Sequence, residues 1–250
     1  MKIVVTSLLV VFFMSCKTNE KESIKAQSII DKSIEASGGN LHIKNRTSFV
    51  FRGRKYVSEP KKDGFRLSRI YIQDSMEIED VKYGDMVKRS AGGSVMRLHD
   101  TLSKAYANSI NSVHYFSKLP FGLNDAAVRK KSLENVFLNG SEYYKVEITF
   151  QEDGGGDDFE DVYVYWINAK TYLPDFLAYS FTTNGGGRRF RVAFNERYIN
   201  GIRFVDYKNY KPKNAKYPAK NLDVLYAKKE LDLLSTIELK EIEVTQGNYN

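Results

Sequence analysis

A single cysteine, Cys16, carries all the thiol chemistry of this 250-residue chain. One thiol excludes an internal disulfide framework, and no His/Cys cluster is spaced for the three or four ligands of a zinc site. Histidine is nearly as scarce: His42, His99 and His114 fall on three separate elements. His99-Asp100 with Ser94 or Ser103 is the nearest approach to a hydrolytic group. Sequence neighbours have the wrong geometry for a hydrogen-bonded triad, and no Gly-x-Ser-x-Gly elbow occurs. Gly-Gly pairs sit in hairpin positions, not between a strand and a nucleotide-binding helix. Long Lys/Arg blocks are missing too, and the formal net charge of +7 is spread along the chain. Such a distribution fits a solvated surface and argues against nucleic acid as a partner. These absences leave no catalytic residue, no metal ligand set and no cofactor to name.

What is present begins with the first sixteen residues. Met1-Lys2 is a short positive head, and Ile3 to Met14 is a largely apolar run closed by Ser15-Cys16. That run is shorter than the roughly 20 residues a membrane-spanning helix needs, and it reads as a secretory signal. Phe13-Met14-Ser15-Cys16 resembles the box recognised by the bacterial lipoprotein signal peptidase, with Phe13 where leucine is commonest. The resemblance implies a signal peptide over 1–15, cleavage before Cys16, and lipid on Cys16. An ordinary signal peptide with an incidental cysteine, or an uncleaved anchor, are the alternatives. No small-x-small site follows, and the chain turns at once to Lys17-Thr18-Asn19-Glu20-Lys21-Glu22. Residues 16–22 are therefore expected to be a lipidated tether, and 23–250 one domain. Each buried methylene contributes about 0.8 kcal/mol, so two or more acyl chains would hold the protein on a membrane.

Along the chain, Ser23 to Ser37 predicts a helix with Ser23 as N-cap, a stripe of Ile24, Ala26, Ile30, Ile34 and Ser37, and Gly38-Gly39 as its stop. Strands are predicted over Thr47–Tyr56, Gly64–Asp74, Met76–Val81, Asp85–Ser90 and Ser94–Leu98. A second helix, capped by Asp100, runs from Thr101 to Phe116 with Leu102, Ala105, Tyr106, Ile110 and Val113 on one face. Asp125 to Lys131 is expected to add one or two helical turns. Strands then follow over Tyr143–Gln151, Phe159–Ile167, Pro174–Thr183, Arg188–Asn195, Gly201–Tyr210 and Ser235–Thr245, with a loop over Lys211–Lys220. The abundance of tyrosine (17) and phenylalanine (15) suits strands and pocket walls. Tyr144, Val146, Ile148 and Phe150 alternate with polar residues, as do Phe190, Val192 and Phe194, so those strands have one wet face. Val162 to Ile167 and Phe176 to Phe181 are apolar on both faces and require cover on both.

The helix ending Ala36-Ser37-Gly38-Gly39, the strand-turn-strand Tyr165 to Pro174, and Gly201-Ile202-Arg203-Phe204 resemble the lipoprotein-carrier superfamily of LolA and LolB. Tyr115-Phe116-Ser117-Lys118-Leu119-Pro120-Phe121-Gly122-Leu123 is similar to a segment in lipoproteins of Bacteroidota. The resemblance covers most of residues 24–245. It implies an α+β fold: a strongly curved antiparallel β-sheet, a half-barrel, with helices packed on the concave side and an apolar cavity between.

On that basis Tyr163, Tyr165, Phe176, Tyr179, Phe181, Tyr106 and Ile110 are the candidate cavity lining, plain core being the alternative for the aromatic stripe. The acidic hairpin 152–161 reads as a solvated tip, or as a calcium loop without EF-hand spacing. The expected protein is a non-enzymatic lipoprotein of the cell envelope, anchored to a membrane, the outer one favoured, through its N-terminal lipid and binding a lipid or other apolar ligand. The alternatives are an interaction lipoprotein with a filled core and, less favoured, a periplasmic hydrolase.

Overall fold

The computed structural model describes residues 15–154, 159–182, 185–214 and 216–247. The first fourteen residues of the expected signal peptide, and 155–158 of the acidic hairpin, lie outside the described residues.

Helix α1 spans Ser15–Ala36, so the backbone is already helical through the expected tether and Ser23 is interior, not a cap. Ala26, Ile29 and Ile30 are buried, with Ser33 and Ser37 following on the same face. The helix stops where the Gly39 N–H donates to Ile34 O (2.9 Å) and the Gly38 N–H to Glu35 O (3.2 Å). Both glycines have positive φ, +118° at Gly38 and +48° at Gly39. Gly38 is needed for a second reason. A Cβ there would lie 3.1 Å from Gly201 O and from Ile202 Cα, because this helix end docks on a later hairpin.

After the single turn α2 (Leu41–Lys44) come β1 (Asn45–Phe51), β2 (Arg54–Lys61), β3 (Gly64–Gln73), β4 (Met76–Tyr83), β5 (Met86–Ala91) and β6 (Ser94–Met96). The predicted strand Thr47–Tyr56 is thus a hairpin. Arg52 (φ +49°) and Gly53 (φ +70°) reverse the chain, and Phe49 pairs with Tyr56 across it. Helix α3 (Asp100–Ser117) follows with His99 at its N-cap and Asp100 in its first turn. Its stripe is centred on buried Ile110 and His114, while Leu102 is exposed.

Asp125 to Lys131 is not helical. A 3-10 turn at Phe121–Asn124 leads into strand β7 (Val128–Ser132), which pairs with β9 (Ser141–Phe150), as does the short β8 (Val136–Leu138). Alternation of buried Val128 and Ser132 with Arg129 and Lys131 is a two-residue period, which outvotes local helix propensity. The meander continues through β10 (Val162–Asn168), β11 (Pro174–Phe181), β12 (Gly187–Ile199) and β13 (Ile202–Pro212). A 3-10 turn at Ala219–Asn221 and helix α4 (Leu222–Ala227) precede β14 (Leu231–Ile237) and β15 (Lys240–Gln246).

These strands form two open antiparallel sheets, β15-β1-β2-β3-β4-β5-β6 and β14-β13-β12-β11-β10-β9-β7. Neither closes, and the fold class is α+β. The predicted single strand Ser235–Thr245 is in fact split between the sheets. The break falls at Glu238-Leu239, where the Leu239 N–H donates to Asp206 Oδ1 (2.9 Å) instead of to a neighbouring strand. Glu241, two residues past Leu239, has φ +51°.

Both faces of β10 and β11 are dry, as their apolar runs require. Tyr165, Ile167 and Leu177 pack with Val146 and Ile148 against Ala26, Ile29 and Ile30 of α1. On the opposite face Val164, Trp166, Phe176, Ala178 and Phe190 pack against Ala219, Leu222 and Leu225. Fully burying each large apolar side chain contributes roughly 1.5–3 kcal/mol, so a bare second face would be costly. Ala219, at the end of the expected loop Lys211–Lys220, and helix α4 just beyond it supply that missing layer. It lies on the sheet face away from α1.

Candidate ligand cavity

The cavity forms at the seam between the two sheets, beneath α3, and has a volume of about 230 Å³. The tip of β1 contributes Phe51 and Arg52. Ser112, Val113, Phe116 and Ser117 come from α3, Arg191 from β12, and Val205, Tyr207 and Asn209 from β13. Ile237 and Leu239 close it on either side of the β14–β15 break. The break that divides one predicted strand into two therefore borders the space.

Its wall is apolar except at a few points. Arg191 is 8 % exposed, Tyr207 5 % and Asn209 7 %. The Arg191 guanidinium stacks 4.2 Å from the Phe116 ring and donates from Nη2 to the Tyr179 hydroxyl at 3.0 Å. Asn209, opposite Arg191 in the β12–β13 register, donates to Ser235 Oγ at 3.1 Å. Among the described residues, Arg191 Nε and Asn209 Oδ1 are buried without a hydrogen-bond partner. The charged side chains on the wall are the two arginines, and no carboxylate is among them.

None of the seven side chains expected to line a cavity is in this wall. Tyr165 is fully buried in the core beneath α1, and Ile110 is fully buried under α3. Tyr163 and Tyr179 stack at 5.3 Å and both meet Phe116, at 6.2 and 5.9 Å. Phe181 extends that row 6.0 Å beyond Tyr179, under Arg189. Phe176 points to the other face of the sheet, 5.8 Å from Phe190 and from Tyr226. Tyr106 lies elsewhere, its hydroxyl accepting from Arg89 Nη1 at 2.7 Å. Tyr163 and Tyr179 are thus one side chain removed from the cavity, through Phe116 and Arg191. The alternation of Phe190, Val192 and Phe194 gave the usable signal, since it puts Arg191 on the opposite face. That face is turned toward α3 and not to solvent.

Two buried polar clusters lie apart from the cavity. In the first, Asp80 is fully buried between two arginines on neighbouring strands. Its Oδ2 accepts from Arg69 Nη2 at 2.7 Å, and its Oδ1 from Arg89 Nε at 2.6 Å. Arg69 also donates to Ser109 Oγ on α3 (2.8 Å) and Arg89 to the Tyr71 hydroxyl (2.9 Å). Burial alone would raise the carboxyl pKa, yet the hydrogen bonds and charges of the two guanidiniums outweigh it and hold Asp80 below the usual range. The second cluster holds the Lys118 ammonium, which donates to Ser58 Oγ at 2.6 Å and sits 3.7 Å above the Phe65 ring. Burial pulls its pKa down to about 7. Burial, with the nearby Lys118 charge, lowers His42 to about 4 and His114 to about 3.

His114 Nε2 meets the Ser68 carbonyl at 3.1 Å, and the His42 ring lies tilted against Phe121 at 4.7 Å. Neither shares a hydrogen bond with a carboxylate among those described. Among the described residues no group of three or more His, Cys, Asp or Glu could hold a metal ion. Tyr163, Tyr165 and Tyr207 have phenol pKa values raised by burial.

A family model matches residues 2–239. The chain belongs to the family of unknown function DUF6503. No protein of curated function matches it. Among solved structures it is similar to a DUF1329 family protein from Desulfovibrio piger, at 12% identity and TM-score 0.46 over 87% of this chain and 92% of that one. A LolA superfamily protein from Nitrosomonas europaea matches at 12% identity and TM-score 0.47, over 88% of this chain and 94% of that one. A domain from Vibrio parahaemolyticus, named for outer membrane lipoprotein sorting, matches at 10% identity and TM-score 0.45, over 90% and 94%. No described helix of the DUF6503 chain is long and apolar enough to cross a membrane.

Proposed function

We propose that this DUF6503 protein is a non-enzymatic lipoprotein of the bacterial cell envelope, held to a membrane by lipid on Cys16, that binds an apolar ligand under α3. The observation that carries the proposal is the cavity of about 230 Å³ at the sheet seam, walled by Phe51, Val113, Phe116, Val205, Ile237 and Leu239. Drug-sized pockets run from about 300 to 1,000 Å³, so this one takes a slender ligand such as an acyl chain. Burial of methylenes against this wall would drive binding at about 0.8 kcal/mol each. Small displacements of α3 would admit longer chains. Tyr163 and Tyr179, behind Phe116, are the residues such a displacement would uncover.

Native mass spectrometry and solvent extraction of the purified full chain test the ligand. Recovered lipid in stoichiometric amount supports the reading, and a repeatedly empty protein that also fails to take up added fatty acid sinks it. Mass spectrometry of the amino-terminal peptide tests the anchor, which requires an acylated Cys16.

An interaction lipoprotein is the second reading. It is favoured by the exposed apolar side chains near the free β6 edge, Val95 and Met96 on β6 itself, Met86 on β5 and Leu102 at the start of α3. A strand at the edge of its sheet with such side chains is a template for another chain. Lysine substitution at Val95 and Met96 should then abolish a co-purifying partner while leaving lipid content unchanged.

A further inference from the structure

Arg191 is the anomaly of the cavity wall. A guanidinium removed from water costs several kcal/mol unless its charge is matched and its donors are used. Here it is 8 % exposed, forms no ion pair among the described residues, and keeps Nε without a partner. The Phe116 face and the Tyr179 hydroxyl offset part of that cost, but neither supplies negative charge. The other charged group on the wall is Arg52, which is exposed beside the cavity at the β1–β2 turn. The wall therefore combines apolar surface with unmatched positive charge, in contrast with four other arginines that are buried or partly buried. Asp80 matches Arg69 and Arg89, Asp206 matches Arg197, and Glu196 matches Arg203. Asn209, paired with Arg191 across β12 and β13, adds a second unused polar atom in the same wall.

Resting on the reading of the cavity as an apolar-ligand site, we propose that its ligand is a single-chain amphiphile with an anionic head, carboxylate or phosphate, seated on Arg191. Guanidinium donors match the paired oxygens of either head, and the bond is strongest where water is excluded. The volume sets the chain number: about 230 Å³ lies below the range of ordinary drug-sized pockets, so two acyl chains do not fit as the walls stand. The apolar residues from α3, β13 and β14 then receive the chain, while Phe116 lies over the guanidinium.

The test uses the full chain carrying Cys16→Ser, so that no acyl group of its own competes, loaded with the uncharged dye N-phenylnaphthylamine. Dodecanoate, dodecyl phosphate, dodecanol and dodecylammonium are compared as displacers. At least one anionic amphiphile is expected to displace the dye at a concentration about tenfold lower than dodecanol, with dodecylammonium weakest. Which anion is preferred identifies the head. In Arg191→Gln that preference should disappear, the anionic amphiphiles falling to the level of dodecanol in the same variant. If the variant does not fold, Arg191→Lys should keep the sign of the preference, and the wild-type series carries the test by itself. Equal displacement by all four amphiphiles overturns the anionic head while leaving the apolar cavity standing. Failure of all four to displace the dye, or of the dye to bind, overturns both.

Discussion

Replacing Lys118 by methionine should remove a pH dependence of stability that the wild-type protein shows on the alkaline side of neutrality. The ammonium is buried among His42 on α2, His114 on α3, Ser58 on β2 and Phe65 on β3, and no carboxylate forms an ion pair with it among the described residues. Its pKa is about 7 in the folded protein against 10.5 for the free side chain. Between those values the unfolded chain binds a proton that the folded protein does not. Stability therefore rises with pH through this window, by about 1.4 kcal/mol per unit, and the contribution is lost again as pH falls toward 7. The full span corresponds to about 5 kcal/mol. Tyrosines limit how much of it is visible, because Tyr143 is raised to about 12 and others further, so their unfolded forms ionise first and stability falls above about pH 10. Urea unfolding followed by fluorescence of Trp166, the one tryptophan and fully buried, suits the measurement. Between about pH 7.5 and about pH 9.5 the wild type should gain roughly 2–3 kcal/mol relative to Lys118→Met. Parallel profiles for the two proteins would refute the assignment of a neutral, buried lysine.

On the acid side, His114 is neutral in the folded protein down to about 3, against 6.5 when free. Stability is thus lost as pH falls below about 6.5, and His114→Phe should lose roughly 2–3 kcal/mol less than wild type between about pH 6.5 and 4.5 in the same assay. Asp80→Asn leaves Arg69 and Arg89 buried without a matching charge and should cost about 3–5 kcal/mol, whereas Glu59→Gln, breaking partly exposed pairs to Arg46 and Arg66, should cost under about 1 kcal/mol. Gly38→Ala places a Cβ 3.1 Å from Gly201 O at φ +118°, and thermal unfolding should show a loss of about 1–3 kcal/mol.

The order of elements was legible because it depends on local period. Alternation in Tyr144–Phe150, and the Gly38-Gly39 stop, constrain the chain wherever it sits. The two-faced apolar runs of β10 and β11 likewise demanded cover on both sides, and α1 and α4 provide it. Short-range signals did not give the reversal at Arg52-Gly53, strand β7, or helix α4. In each, pairing or packing with residues far along the chain outweighs a weak local preference.

The sequence alone determined that this protein is strand-rich, carries two long amphipathic helices, has a single thiol near its start, and has an interior crowded with aromatic side chains. Only the tertiary structure decided where space remains. The cavity lies where one predicted strand is divided into two, beside the Leu239 N–H that donates to Asp206, and beneath α3. The same arrangement turns Arg191 inward. Whether a charge meets solvent or the interior depends on what packs over its face of the sheet. That covering layer is α3, contributed from more than seventy residues away along the chain.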